Sequence, residues 1–306
     1  MCLYARGLAT IQERTHYGLG IQCTLGRKIG YAVDHCKYTM KYTVVTTFNA
    51  DGYNTYGRRM IETFLKTWPQ QVDLVVYTEN CTVDQAAANL QIRDLEQSSS
   101  ELRAFKQQWR NVPRANGDIS ADPVRSRRRD AAKPFKWDAV RFAHKVYSIF
   151  HCAKNTTADV LIWMDADTIC HSPITMQDIQ QLIPADKDLC FLGRKGKFSE
   201  CGLYAMNLRS VTVQDFLKRF QWMYDDAENG IFQQDEWHDS FIFDVVRRHT
   251  VLKELDWSSH LITGEGHPLI NSAWGAYLDH LKGSRKKTGR SLATDLKIKR
   301  TEAYWQ

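Results

Sequence analysis

Residues Val160–Met164 set five apolar side chains in a row, VLIWM, and run straight into Asp165, Ala166 and Asp167. A run this short, with no polar alternation, suits a strand buried on both faces, as in parallel sheets covered by helices on each side. The upstream pattern agrees. Residues 42–48 are rich in β-branched side chains, a polar turn follows, and Ile61, Phe64, Leu65 and Trp68 then share one helical face before a second strand over 73–78. Strand, helix and strand in that order predict a mostly parallel α/β sheet.

Further elements follow the same logic. A helix is expected from Pro134 onward, with proline tolerated in its first turn and Ala139, Phe142, Ala143, Val146, Ile149 and Phe150 forming the buried stripe, while Arg141, Lys145 and Ser148 face elsewhere. Apolar runs at 189–192 and 203–206 read as strands. Val213, Phe216, Leu217, Phe220 and Met223 mark one later helix, and Phe241, Ile242, Val245 and Val246 mark another. Residues 112–130, with two prolines, Gly117 and a cluster of arginines, read as a long, mobile basic loop. The expected organisation is an irregular extension over 1–38, one large domain over 39–290 and a C-terminal tail over 291–306.

With 306 residues, of which 43% are hydrophobic and 25% charged, the chain has enough apolar material for one large α/β domain. Its apolar runs fall far short of the roughly 20 residues that cross a bilayer, so no membrane insertion is expected. Arg6, Gln12, Glu13 and Arg14 interrupt every apolar stretch near the N-terminus, which argues against a signal peptide. The eight cysteines form no CxxC pair and read as reduced thiols, so a cytoplasmic location is predicted. The net charge of +6 is concentrated in Arg125, Arg127, Arg128 and Arg129 and in Arg285, Lys286, Lys287 and Arg290. Clusters of this kind favour polyanionic partners.

Asp165 and Asp167 are spaced i, i+2 at a strand end, where alternate side chains of an extended backbone share one face. Both can therefore turn toward one hard cation. Mg²⁺ or Mn²⁺ suits such a pair, because these ions take one or two protein carboxylates and keep positions open for phosphate oxygens. The plainer alternative is that the two aspartates only cap a turn.

The stretch from Arg141 to Ile174, with ADVLIWMDADTI followed by HSPI, resembles the DxD region of the glycogenin-type family of retaining GT-A glycosyltransferases. A second element, His280-Leu281-Lys282-Gly283-Ser284-Arg285-Lys286, resembles the family's C-terminal His-x-x-Gly-x-x-Lys, although Lys287-Thr288 follows where the family has Pro-Trp. The resemblance implies a GT-A fold with a Rossmann-like sheet flanked by helices, and a nucleotide-sugar donor, a UDP-sugar first of all. It implies a metal held by Asp165, Asp167 and His280, with His267 in reserve. Donor contacts are implied for Asn49, Asp51 and Tyr53 after the first strand, for Lys136 and Arg141, for Asp165 and Ala166, and for Gly283 and Lys286 in the tail. Glu200 and Asp239 are the implied catalytic carboxylates, standing where the family has Asn-Ser-Gly and Asp-Gln-Asp. The acceptor is open between a hydroxymethylated base in DNA and a saccharide or protein. Two other readings stand beside this one: a phosphohydrolase of the haloacid dehalogenase type with Asp165 as nucleophile, and a non-enzymatic, basic nucleic-acid-binding protein.

Overall fold

The computed structural model describes residues 40–261 and 267–306, so the extension expected over 1–38 lies outside the described residues. Strands β1 (Tyr42–Asn49), β2 (Val72–Glu79), β3 (Leu90–Asp94) and β4 (Val160–Met164) pair in parallel. After a short strand β5 (Thr168–Cys170) come β6 (Leu189–Leu192), β7 (Glu200–Asn207), β8 (Glu254–Asp256) and β9 (Leu278–His280). The main sheet has seven strands in the order β3-β2-β1-β4-β7-β6-β8, with β7 antiparallel to both its neighbours. This is the mostly parallel, Rossmann-like sheet flanked by helices that the sequence predicts, and residues Thr39–Gln306 form one compact unit.

Alternation along the central strands divides the core into two layers. Val45, Val75, Leu161 and Trp163 point to one face and pack with the helices Ala139–Asn155, Val211–Asp225 and Asp239–Arg248. Val44, Leu74, Ile162 and Met164 point to the other and meet Ile61 and Phe64 of the helix Arg58–Thr67. Each strand is thus apolar on both sides, which is why β4 shows no polar alternation.

Several local expectations are corrected. No loose polar turn follows β1: the chain turns helical at Ala50, Asn49 caps it by accepting from the Gly52 amide at 2.8 Å, and a π-turn over Tyr53–Gly57 leads into the Arg58–Thr67 helix. The helix expected from Pro134 begins at Ala139, because Pro134–Trp137 is a 3-10 turn and Asp138 supplies the cap through the Arg141 amide. Lys145 and Ser148, expected to face away from the core, are buried. The loop over 112–130 carries 3-10 turns at Pro113–Asn116 and Arg125–Arg127 and buries Ala115 and Ile119. Residues 291–306 lie along the β5–β9 ribbon, where the Tyr304 hydroxyl donates to Asp279 at 2.7 Å and its ring stacks on His171 at 4.0 Å.

Candidate metal and donor site

β4 ends in the centre of the sheet, and its last backbone contact passes from the Asp165 amide to the Gly202 carbonyl of β7 at 2.8 Å. The chain then turns through Ala166 and Asp167 into β5, whose Thr168 is registered opposite His280 of β9. The Leu281 amide donates to the Asp167 carbonyl at 2.8 Å, fixing the two strands where the acids project. A short ribbon far apart in sequence thus carries an imidazole to the end of β4.

His280 Nε2 lies 3.0 Å from Asp167 Oδ1 and 3.6 Å from Asp165 Oδ2. One ligand atom from each of the three residues falls within 4.8 Å of the others. His280 is buried, and its Nδ1 has no hydrogen-bond partner among the described residues. Gly202 makes room for the ring, since a Cβ there would stand 2.7 Å from that nitrogen. His267, the reserve ligand, is placed behind the site: its Nε2 donates to the His280 carbonyl at 2.6 Å, and burial pushes its pKa down to about 3.

Cations balance the acids. Lys145 reaches from the Ala139–Asn155 helix to Asp165 Oδ1 at 2.9 Å, Asp239 Oδ2 at 2.6 Å and the Cys201 carbonyl at 2.6 Å. Trp163 Nε1 also donates to Asp165 Oδ1, at 2.7 Å, so Oδ2 is the oxygen turned toward His280. Burial opposes the Lys145 charge, but Asp165 and Asp239 outweigh it and hold the pKa well above the ordinary lysine value. Lys286 Nζ stands 2.7 Å from Asp167 Oδ2 and over the Tyr56 ring. Burial would raise the Asp167 carboxyl, yet His280 and Lys286 hold it well below the usual carboxylate range. Glu200 behaves alike: burial works against its charge, and Lys282, which is paired with it, and His280 keep it ionised.

Asp165, Asp167, Lys145, Glu200, Asp239 and Lys286 border a cavity of about 580 Å³, whereas His280, His267 and Lys282 do not line it. Of the residues singled out in the sequence, Asn49, Arg141, Asp165, Ala166, Asp167, Glu200, Asp239 and Lys286 line it. Asp51 is exposed outside it. Tyr53 is turned away, stacked on Phe48 and hydrogen-bonded to Gln85 at 2.8 Å, and Tyr56 takes its place on the wall. Lys136 is held by Asp130 at 2.7 Å and Glu236 at 2.6 Å and borders the neighbouring cavity instead. Gly283 adopts a left-handed backbone (φ 57°) in the turn before Lys286 and does not line the cavity. Asp239 is the first residue of its helix, while the cap is His238, so the aspartate side chain is left for Lys145. The sequence does not signal Lys145, and it marks Gly202 only as the glycine at the Asn-Ser-Gly position; the packing reveals what each does.

No family model matches the sequence, and no curated protein matches it. Among solved structures, the bifunctional glycosyltransferase WbbM in its apo form is similar over 72% of this chain and 39% of its own, with 9% identity and a TM-score of 0.43. The glycosyltransferase GlyE of Streptococcus pneumoniae TIGR4 is similar over 71% of this chain and 45% of its own, with 8% identity and a TM-score of 0.39. Its apo form gives 10% identity and a TM-score of 0.40. The chain therefore spans less than half the length of these structures. No helix among the described residues is long and apolar enough to cross a membrane.

Proposed function

We propose that this chain is a divalent-metal-dependent glycosyltransferase that moves a sugar from a nucleotide-diphosphate sugar, a UDP-sugar in the first instance, to an acceptor hydroxyl. The observation that carries the reading is the convergence of Asp165, Asp167 and His280 at the carboxyl end of β4, where open α/β sheets bind ligands. Two carboxylate oxygens and an imidazole nitrogen fit Mn²⁺ or Mg²⁺, and the space Gly202 leaves for the ring fits a histidine held for that purpose. When bound, such an ion neutralises charge on the departing diphosphate.

The chain's own groups divide the remaining work. Lys286 and Arg141 sit on the cavity wall as cations for the diphosphate and sugar, and Asn49 and Tyr56 lie on the nucleoside side. In the transfer, the bond from the sugar C1 to the diphosphate oxygen breaks with its electron pair leaving on the diphosphate. A bond from the acceptor oxygen to C1 forms, and the hydroxyl proton passes to Asp239, which Lys145 orients. Glu200, neutralised by Lys282, shapes the wall between donor and acceptor.

The phosphohydrolase alternative fares worse. Asp165 Oδ1 is engaged by Lys145 and Trp163, and the later acid pair that such chemistry would use, Asp225 and Asp226, ends a helix and does not border the cavity. The reading is tested by incubating the full chain with a panel of UDP-sugars and Mn²⁺: donor hydrolysis or transfer that stops in chelator is expected, and turnover that persists in excess chelator would overturn it.

A further inference from the structure

A second cavity, of about 920 Å³, opens beside the first and shares Phe142, Glu200, Asp239 and Ser240 with it. It therefore begins at the carboxylates assigned to the acceptor and leads away from the metal ligands. Its inner end is aromatic. The rings of Phe135, Phe142 and Phe198 stand 6.1, 6.0 and 5.9 Å from the His238 ring, and Phe135 is 44% exposed although large and apolar. These rings make an open bowl with a histidine at its base, a platform for a flat π-system.

The outer end is cationic. A third cavity, of about 360 Å³, meets this one at Arg194, Lys197 and Arg248, so the two join into one groove. Lys133 and Lys197 are exposed and carry no ion pair among the described residues, and Arg248 is 60% exposed with only a 3.6 Å approach to Asp244. Lys133, Lys197 and Arg248 are thus open to a ligand, whereas Arg194 is held by the Phe198 carbonyl at 2.6 Å and the Ser199 carbonyl at 3.4 Å. By contrast, Arg125 and Arg128 of the basic loop are tied inward, to the Gln234 carbonyl and to Glu236.

From these features we infer that the groove is the acceptor cleft and that its occupant is a polynucleotide strand, one base resting among Phe135, Phe142 and Phe198 and neighbouring phosphates meeting Lys133, Lys197 and Arg248. Base stacking on aromatic side chains combined with a basic track for the backbone is how single strands are held. A neutral saccharide would use the rings but not the track, and a polyol phosphate would use the track but not the rings. A hydroxylated base extruded into the bowl brings its oxygen beside Asp239, and the transfer then proceeds as above. The inference rests on the glycosyltransferase reading.

The test uses the full chain, a fluorescein-labelled single-stranded oligonucleotide of twelve thymidines, inorganic polyphosphate of similar charge and maltoheptaose. The oligonucleotide is expected to bind most tightly and, with about three phosphates contacted, to lose about 20-fold in affinity between 50 and 200 mM salt. Phe135→Ala and Phe198→Ala should each weaken it at least about fivefold without changing polyphosphate binding. Lys197→Glu with Arg248→Glu should weaken both polyanions at least about tenfold. Polyphosphate binding as tightly as the oligonucleotide, indifference of oligonucleotide binding to the phenylalanine variants, its survival in the charge-reversed double variant, or tighter binding of maltoheptaose would each overturn the inference. Wild-type hydrolysis of UDP-sugars is measured separately. Hydrolysis without oligonucleotide binding leaves the donor reading standing and ends this one, whereas oligonucleotide binding that depends on Phe135 and Lys197 without any hydrolysis leaves a polynucleotide groove but overturns both the donor reading and the groove's role as an acceptor cleft.

Discussion

The ammonium of Lys145 lies 2.6 Å from Asp239 Oδ2 and is shared with Asp165, so a single buried cation links the carboxylate proposed for the metal to the one proposed for the acceptor. Its removal leaves two acids on the wall of one cavity without the cation they share. Lys145→Met should cost about 3–5 kcal/mol of stability, the usual result of breaking a buried pair from one side. A divalent ion can restore part of the missing positive charge. Thermal melts of this variant with and without Mn²⁺ should therefore show a larger gain from the metal than wild type shows, and an equal gain would refute the linkage.

The ligand set itself predicts metal-dependent stability. An ion that binds only the folded chain adds about 2.7 kcal/mol at a hundredfold excess over its Kd. Asp165→Asn, Asp167→Asn and His280→Ala should each abolish that gain and nearly all transfer. Calorimetric Mn²⁺ titration checks the first effect without any substrate, so a binding defect is separable from a catalytic one.

Gly202 gives a sharper version of the same test. A methyl group there would sit 2.4 Å from His280 Cε1, 2.7 Å from its Nδ1 and 3.2 Å from Glu200 Oε1, and both residues are buried. Gly202→Ala should destabilise by about 1–3 kcal/mol, as for overpacking generally, and by displacing the His280 ring should lower Mn²⁺ affinity although no ligand residue is replaced. Unaltered metal affinity in a folded Gly202→Ala protein would show that the ring position is not what fixes the ion.

How much of this is legible in the sequence depends on range. The strand Val160–Met164 and its two acids are legible because burial on both faces leaves no polar residue in the run, and the Asp-Ala-Asp spacing needs no distant partner. His280 is legible only through a resemblance, since its meeting with Asp167 depends on the pairing of β5 with β9 across more than a hundred residues. Lys145 escapes because a lysine four residues after an exposed arginine reads as solvated. Its burial is decided by the Cys201 carbonyl of β7 and by Asp239 of a later helix. Asp51 and Tyr53 stand off the cavity wall because Asn49-Ala50-Asp51-Gly52, which looks like a turn, is the start of a helix capped by Asn49, and Tyr56 lines the cavity instead.

Acid should weaken the region around Glu236. Burial works against its charge, but hydrogen bonds from His238 and Lys136 hold its pKa below the ordinary glutamate value. A depressed carboxylate contributes stability that is present above its unfolded pKa, about 4.3, and is lost as pH falls through the folded value. Glu236→Gln should therefore cost about 1–3 kcal/mol at pH 7. The difference should shrink as pH falls below about 4.3, and denaturant unfolding at pH 7 and at successively lower pH measures this; a difference that does not change with pH would assign the effect to packing.

The last prediction separates Lys286 from the basic tail around it. Its Nζ is 2.7 Å from Asp167 Oδ2 and it borders the cavity proposed for the donor, while Lys287 beside it is exposed and does not. If Lys286 neutralises the diphosphate, Lys286→Ala should weaken binding of UDP in Mn²⁺ by about tenfold, equivalent to about 1.4 kcal/mol. Lys287→Ala should leave it unchanged, because an exposed charge at that distance is screened by salt. Mn²⁺ affinity should stay level or rise in Lys286→Ala, since Asp167 loses a competing cation. Calorimetric titration of metal first and nucleotide second resolves the two steps. Equal losses of nucleotide affinity in both variants would mean that the tail acts only as a diffuse positive field, and a fall in metal affinity in Lys286→Ala would mean that the lysine holds Asp167 in place for the ion rather than meeting the diphosphate.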